Sequence, residues 1–331
     1  MKKVMTMTAI AMMAVGAVFA SGSKEEGTGA AKQIVFKLAD NSPLSTPLCE
    51  ANVKFSEYVE EATNGAVKIE VYPDAQLGNE NETIEQVKAG VLDLTRVNII
   101  QLVQYVDNYQ VFNLPYMFRD DAQRWAVTDG PIGQSLNQEL FDATSIHNLA
   151  YLDSGWRCFY TTKKAVKSVA DLKGLKIRVM NSASNIAMIK SFGAVATPMA
   201  YADVFSALQT GVIDGAENDY VSYDTSGHSE VAKNYTVDRH TAGFGVILMS
   251  DKAKNKLTAE QYQIVMDCAQ RAAEWQRGAM LEQENASKAK VIASGSTINE
   301  VNVEEFQNVV QPVYEQYSEL KPLIEKIYAT K

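Results

Sequence analysis

Hydrophobic and polar positions in the first third of the chain follow two different periods. Apolar residues at 67, 69 and 71 are separated by charged residues, which is the period of a strand with one buried face. Between residues 47 and 63 the apolar positions fall on one face of a helix. The pattern predicts strands at 34–38, 67–71 and 91–97 and helices at 47–63 and 82–89. Alternation at these lengths predicts an α/β sheet with parallel neighbours.

The same order recurs in the middle of the chain, with strands predicted at 175–180 and 195–198 and helices at 182–192 and 203–210. Residues 89–93 read Ala-Gly-Val-Leu-Asp, and residues 210–214 echo them as Thr-Gly-Val-Ile-Asp. Each following strand ends near an asparagine, Asn98 or Asn218. Two similar lobes would place both asparagines at one cleft, because ligands bind at the carboxyl ends of parallel strands. Helix-capping chemistry used twice explains the echo equally well.

A long helix is predicted in the last third of the chain. Thr258 and Gln261 have the spacing of a capping box, and helical character continues to Ala293. One or two helices over this stretch would reach about 50 Å at about 1.5 Å per residue. Because that length exceeds one small lobe, we expect a helix that runs along both lobes.

The N-terminal segment differs from the rest of the chain. Residues 1–20 combine two lysines with a Met-rich apolar run and end at a cleavage point between Ala20 and Ser21, which is typical of an export signal. A membrane anchor is the alternative, but the apolar run is shorter than a spanning helix needs. Residues 21–32, rich in Gly, Ser, Lys and Glu, are predicted to be a flexible leader. We therefore expect a soluble periplasmic protein.

Composition and charge exclude several classes of protein. The chain has 331 residues, 46% of them apolar, which is enough for two ordinary domains with a core and excludes disorder. The formal charge of −9 disfavours a nucleic-acid partner, since phosphate neutralisation needs a surplus of Lys and Arg. Cys49, Cys158 and Cys268 lie far apart, so at most one disulfide is expected and no zinc site. We expect a monomer.

The sequence contains little that indicates catalysis. No G-x-S-x-G, H-E-x-x-H, G-x-G-x-x-G or P-loop pattern occurs. The three histidines, His147, His228 and His240, do not have the spacing of metal ligands, and we expect them to cap helices or to lie in the core. The sequence therefore predicts no enzyme activity, no metal and no cofactor.

Two arginines stand out as candidate binding residues. Arg157 lies in a stretch of aromatic and small residues that contains no other basic group, and Arg178 lies in a predicted strand. The guanidinium group can hold a carboxylate by two parallel hydrogen bonds, which lysine cannot reproduce. The alternative is structural: Arg157 pairs with Asp153, and Arg178 is solvated.

Four motifs resemble a known receptor family. They are Pro-Asp-Ala-Gln-Leu-Gly at 73–78, Asp-Leu-Lys-Gly-Leu-Lys-Ile-Arg-Val at 171–179, the run ending in Asp-Gly-Ala-Glu-Asn at 207–218, and Gly155-x-Arg157. In order and spacing they are similar to the solute receptors of tripartite ATP-independent periplasmic (TRAP) transporters, of the dicarboxylate-receptor type. The resemblance implies a two-lobed periplasmic binding protein fold with a long helix spanning both lobes. It also implies delivery of an organic acid to a sodium-coupled permease, without ATP or chemistry.

The resemblance implies a set of ligand-binding residues. Arg178 occupies the position of the principal carboxylate clamp, Asn218 that of a second carboxylate contact, and Arg157 that of a supporting arginine. Weaker correspondences place Asn41, Glu80, Asn98 and Tyr201 around the remainder of the ligand.

The chain departs from the family pattern at three positions. Asp203, Phe205 and Asp219 replace the usual Glu, Tyr and Pro, and Asp219 bears on ligand identity because it follows Asn218. We expect lobe I at residues 33–154 and 244–282 and lobe II at 155–243 and 283–331.

The predicted ligand is a sugar acid. The clamp requires a carboxylate, whereas Asn41, Glu80 and Asn98 offer acceptors and amides rather than a second cation, which favours hydroxyls at the far end of the ligand. A hexuronate is expected first, and an aldonate or a sialic acid after it. A dicarboxylate or other carboxylate receptor of the same family, a receptor that serves a sensor kinase, and a secreted carbohydrate-active enzyme are the alternatives.

Overall fold

The computed structural model describes residues 33–331, which form one mixed sheet covered by helices. The sheet has the strand order β2-β1-β3-β8-β4-β7-β5-β6, and β9 pairs with β8. The predicted α/β class is confirmed. The strands are β1 (Ile34–Asp40), β2 (Val67–Tyr72), β3 (Leu94–Asn98), β4 (Ile146–Thr161), β5 (Lys176–Val179), β6 (Val195–Pro198), β7 (Gly215–Asn218), β8 (Asn234–Ser250) and β9 (Thr297–Glu300).

Helices cover the sheet and connect its parallel strands. They are α1 (Pro47–Ala62), α2 (Glu80–Lys88), α3 (Asp121–Thr128), α4 (Pro131–Thr144), α5 (Val169–Leu172), α6 (Ala183–Ser191), α7 (Val204–Thr210), α8 (Tyr220–Thr225), α9 (His228–Val231), α10 (Asp251–Lys254), α11 (Ala259–Ala293), α12 (Val303–Val309), α13 (Gln311–Glu315) and α14 (Lys321–Ala329). Short 3-10 helices lie at Ile99–Gln104, Asp107–Asn113, Tyr201–Asp203 and Ser318–Leu320.

Two parallel half-sheets are joined by two long antiparallel strands. Strand β1 pairs in parallel with β2 and β3, and β5 pairs in parallel with β6 and β7. Between them run β4 and β8, which are 16 and 17 residues long and pair along most of their length. We call the part built on β1–β3 the first lobe and the part built on β5–β7 the second lobe.

The predicted strands at 91–97 and after Gly211 begin three residues too early. The amide of Val91 donates to the carbonyl of Gln86 at 2.8 Å, and the amide of Val212 donates to that of Ala207 at 2.9 Å. These amides close the preceding helices, so they are not available to a strand. The echo is therefore capping chemistry, and it also marks equivalent places in the two lobes, since β3 adjoins β8 and β7 adjoins β4.

The long helix is a single element of 35 residues, α11, with the predicted Thr258–Gln261 capping box at its start. It contacts α1 of the first lobe and α8 of the second. Gly278 does not interrupt it. At about 1.5 Å per residue it spans about 50 Å and lies against both lobes, as the sequence predicts.

The C-terminal helix α14 returns to the first half of the chain. Gln123 Nε2 donates to the carbonyl of Ile327 at 2.8 Å, and Arg119 Nη2 donates to that of Thr330 at 2.8 Å. The predicted lobe boundaries stay a prediction. The predicted signal and leader, residues 1–32, lie outside the described residues. Among residues 33–331, no helix combines the length and the apolar character that a membrane span requires.

Candidate functional site

A cavity of about 450 Å3 lies between the carboxyl ends of the two parallel half-sheets. The first lobe contributes the loop after β1, the start of α2 and the end of β3, and the second contributes the loops after β5, β6 and β7. The seven residues predicted from the sequence all line this cavity: Asn41, Glu80, Asn98, Arg157, Arg178, Tyr201 and Asn218. Their contact with a ligand stays a prediction.

Arg178 is buried rather than solvated, with 3% of its surface exposed. Its Nε and Nη2 both donate to the carbonyl of Met199, at 3.1 and 2.8 Å. Within residues 33–331, Nη1 has no hydrogen-bond partner. Burial lowers the pKa of Arg178, but an arginine stays protonated at neutral pH. The side chain thus presents a positive charge and a free donor at the cavity wall.

Arg157 pairs with Glu217 and not with Asp153. Its Nε donates to Glu217 Oε2, and its Nη2 donates to Glu217 Oε1 at 2.9 Å, so that the two side chains form a bidentate pair. Both are buried. Burial alone would raise the pKa of Glu217, but Arg157 and His240 outweigh it and lower the pKa to about 2. The charge of Arg157 is thus balanced within the protein.

Arg157 fixes the orientation of Asn218. Its Nη1 donates to Asn218 Oδ1 at 2.7 Å, and the amide of Asp219 donates to the same oxygen at 3.1 Å. Since that oxygen is occupied, the side-chain Nδ2 of Asn218 is the group left to face the cavity. The second-lobe wall therefore offers two donors, from Arg178 and Asn218, which suits a carboxylate.

Arg96 belongs to the first-lobe wall and is absent from the sequence prediction. It is buried in β3, it lines the cavity, and its Nη2 donates to Asn41 Oδ1 at 2.8 Å. Asn98 Oδ1 accepts from the amide of Ile100 at 3.1 Å. Both asparagines therefore keep their Nδ2 donors for the cavity. Strand β3 reads Leu-Thr-Arg-Val-Asn, and nothing in this local pattern separates a binding arginine from a structural one.

The expectation that this side of the cavity offers no second cation is wrong, because Arg96 also lines it. The charge is nevertheless balanced: Asp40 holds Arg96 through a buried bidentate pair, and Glu80 Oε1 lies 3.8 Å from Arg96 Nη1. Glu80 also accepts from the amide of Asn98 at 2.7 Å. Asp74 also lines this side of the cavity, so that one arginine stands against three carboxylates and the wall carries a net negative charge.

Asp219, the departure noted beside the clamp, is buried and also lines the cavity. One carboxylate oxygen caps α8 by accepting from the amide of Ser222 at 3.0 Å, and the other has no partner among the described residues. Burial raises the pKa of Asp219. Gly155 allows this packing, because at its φ of +70° a Cβ would lie 2.4 Å from Asp219 Cβ. This explains the glycine of the Gly155-x-Arg157 motif.

The three histidines have different surroundings. His147 Nε2 lies 3.0 Å from Asp251 Oδ1, and His240, fully buried, lies 2.8 Å from Asp238 Oδ2. His228 is also buried, but it lines the cavity, which the sequence did not predict. Cys49, Cys158 and Cys268 are buried free thiols.

The fold and the cavity define a two-lobed solute-binding protein. A sequence model of the bacterial extracellular solute-binding protein family 7 (DctP) matches residues 38–320, and the chain belongs to this family. A solute-binding protein of Chromohalobacter salexigens is 36% identical over 286 residues, or 86% of this chain and 85% of the relative.

Solved structures show the same fold. The crystal structure of a TRAP periplasmic solute-binding protein from Xanthobacter autotrophicus Py2, with bound β-D-galacturonate, has a TM-score of 0.86 and 38% identity, and covers 89% of this chain and 100% of that one. A TRAP periplasmic solute-binding protein of Chromohalobacter salexigens with bound D-glucuronate has a TM-score of 0.87 and 35% identity, with coverage of 89% and 100%. The two-lobed fold predicted from the sequence is confirmed.

Proposed function

We propose that this protein is the extracytoplasmic receptor of a TRAP transporter and binds a sugar acid, a hexuronate first. The observation that carries the proposal is the asymmetry of the cavity. One wall holds the free donors of Arg178 and Asn218, and the facing wall holds Glu80 beside two asparagine amides. A carboxylate fits the first wall, and hydroxyl groups, which donate and accept, fit the second.

The balance of charge favours a monoanion over a dianion. Three arginines in the described part of the chain line the cavity. Arg157 is paired with Glu217 and Arg96 with Asp40, whereas Arg178 has no carboxylate partner among residues 33–331. The second carboxylate of a short dicarboxylate would approach Glu80, where repulsion and desolvation oppose binding. The galacturonate and glucuronate found in the two related structures are monoanions with several hydroxyls, which supports the same ligand class.

Direct titration tests the proposal. Calorimetry with D-glucuronate, D-galacturonate and gluconate should give a 1:1 complex, and the acid should be recovered unchanged after incubation. At a hundred times its dissociation constant a ligand stabilises the protein by about 2.7 kcal/mol, which raises the melting temperature by a few degrees. If these acids fail while succinate, malate or a keto acid binds, the sugar-acid assignment is wrong and a dicarboxylate or other carboxylate receptor is the better description. Turnover of the acid would instead indicate an enzyme.

The proposal includes export and a membrane partner. We propose cleavage between Ala20 and Ser21 and a monomeric periplasmic protein that transfers its ligand to a sodium-coupled permease. Mass spectrometry of the exported protein should find Ser21 at the N-terminus, and intact Met1 would contradict cleavage. Sodium-dependent uptake of labelled uronate should require both this protein and the permease.

The long strands β4 and β8 and helix α11 connect the two lobes, and we propose that the lobes close around the ligand by bending there. The proposed division is lobe I at 33–154 and 244–282 and lobe II at 155–243 and 283–331, with one change. The contacts of Gln123 with Ile327 and of Arg119 with Thr330 support assigning α14 to the first lobe.

A further inference from the structure

His228 lies in the second-lobe wall, next to the clamp. It begins α9, and 1% of its surface is exposed. Its ring centroid lies 5.6 Å from that of Tyr201, in an edge-on arrangement, and the guanidinium carbon of Arg178 lies 5.9 Å from the Tyr201 ring centroid. His228 and Arg178 therefore flank the same aromatic ring at the edge of the cavity.

Tyr160 determines which ring nitrogen of His228 carries the proton. The hydroxyl of Tyr160 lies 2.7 Å from His228 Nδ1, which is its hydrogen-bond partner in the described structure. Tyr160 is buried, and burial raises its pKa well above the ordinary value, so the hydroxyl keeps its proton. A buried hydroxyl proton needs an acceptor, and Nδ1 is the acceptor within reach. A neutral His228 ring therefore carries its proton on Nε2.

The ring stays neutral at physiological pH. Burial and the nearby charge of Arg178 lower the pKa of His228 to about 4. Its Nε2 forms no hydrogen bond with any residue from 33 to 331, although the side chain lines the cavity. The result is an uncharged donor beside a charged one.

We propose that His228 is a further ligand-binding residue, whose Nε2–H donates to an acceptor oxygen at the carboxylate end of the bound acid. This inference rests on the proposed function, because it assumes that the carboxylate binds at Arg178. A neutral donor adds a directional contact without adding attraction for every anion, so it favours an acid with an oxygen in the right place.

Two substitutions separate this role from a structural one. In His228→Gln the amide nitrogen reaches the place of Nε2, and in His228→Asn the amide reaches only the place of Nδ1 and can still accept from Tyr160. We expect His228→Gln to bind D-glucuronate within about 3-fold of wild type and His228→Asn to lose at least about 10-fold, the range of one hydrogen bond to a charged group. If His228 had a purely structural role, its hydrogen bond with Tyr160 would matter most, and His228→Asn would then bind more tightly than His228→Gln.

Calorimetry gives the affinities, and nitrogen-15 NMR of the imidazole gives the tautomer. We expect the Nε2–H form in wild type, with an Nε2 resonance that shifts on adding glucuronate, and a mixture of tautomers in Tyr160→Phe. The control is His147→Gln, remote from the cavity, which should bind as wild type.

An Nδ1–H tautomer, or wild-type affinity in His228→Asn, would overturn this inference and leave the proposed function in place. Failure of the wild-type protein to bind any sugar acid, aldonate or dicarboxylate would overturn both.

Discussion

At the scale of single residues, Arg178 and Asn218 are prepared for a ligand because their other polar atoms already have hydrogen-bond partners within the protein. Two nitrogens of Arg178 donate to the Met199 carbonyl, and the side-chain oxygen of Asn218 accepts from Arg157. Nη1 of Arg178 and Nδ2 of Asn218 remain as donors for a ligand, and buried partners hold both side chains in place. Preorganised donors lose little freedom when they bind, and this raises affinity.

Replacing Arg178 by Ala should weaken binding by about 2 to 5 kcal/mol, or roughly 30-fold to several thousand-fold, because the ligand carboxylate loses its charged partner in a closed site. Arg178→Lys should restore only part, since an ammonium group cannot hold both the Met199 carbonyl and the carboxylate in the same geometry. Calorimetry with D-glucuronate measures both variants. Wild-type affinity in a folded alanine variant would remove Arg178 from the site.

Glu80 should determine selection against a second carboxylate. Replacing it by Gln keeps an oxygen for the amide of Asn98 and removes the negative charge. We expect the preference for gluconate over glucarate, which has the same open chain with a carboxylate in place of the terminal CH2OH, to fall at least about 10-fold. Competition calorimetry gives the ratio. The matched control is Glu85→Gln on the same helix, whose side chain is absent from the cavity lining; an equal change there would contradict the role of Glu80.

At the scale of elements, helix ends place the cavity residues. Asn79 and Glu82 form a capping box that begins α2, so that Glu80 lies in its first turn and faces β3. Directly after Asn218, Asp219 is the N-cap of α8, and its side chain accepts from the amide of Ser222. Polar side chains at the helix starts thus both stabilise the helices and line the site.

Helix α11 offers a test of backbone entropy. Gly278 lies in its interior, and a Cβ added there meets no atom within 4 Å. Gly278→Ala should therefore stabilise the protein by up to about 1 kcal/mol, or about 2 °C in melting temperature.

Gly174 is the matched control for Gly278. A Cβ added at Gly174 also meets open space, but the φ of this residue is +78°. Gly174→Ala should destabilise, because an L-residue is strained in the left-handed region. Thermal unfolding of both variants tests the pair, and a lower melting temperature for Gly278→Ala would contradict the expected gain from backbone entropy.

At the scale of the whole molecule, buried charge is balanced along the junction of the lobes. His240, on β8, lies between Asp238 and Glu217, and Glu217 holds Arg157 on β4. Burial alone would lower the pKa of His240, but Asp238 and Glu217 outweigh it and raise the pKa to about 9. The long strands β4 and β8 thus bring His240, Asp238 and Arg157 together with Glu217 in one connected set of ionic pairs behind the cavity.

This set makes stability depend on pH in a defined direction. The pKa of His240 is raised from an ordinary 6.5 to about 9, so its contribution is complete below pH 6.5 and is lost as the pH rises through 9. Urea unfolding should show the free energy of unfolding falling by a few kcal/mol over that window. His240→Gln should be less stable at pH 6 and nearly flat between pH 6.5 and 9. An NMR titration of His240 below pH 7 would contradict the expectation.

The sequence by itself determined the elements and the chemistry of one wall. Hydrophobic period and capping residues are local, and they predicted the α/β class and α11 correctly. The motif around Arg178 and that ending at Asn218 also identified two residues that line one cavity. The predicted start of β3 was wrong because the amide of Val91 closes the preceding helix instead of joining the sheet. A valine after a glycine is compatible with either role.

Only the tertiary structure decided the partners of the charges. Arg157 could pair with Asp153 by proximity in sequence, but the pairing of β4 with β7 brings Glu217 to it instead. Arg96 and His228 line the cavity because folding brings separate strands and helices together, and no local pattern identifies them as cavity residues. Electrostatic and hydrogen-bond energies depend on distance in space, whereas the sequence records only distance along the chain.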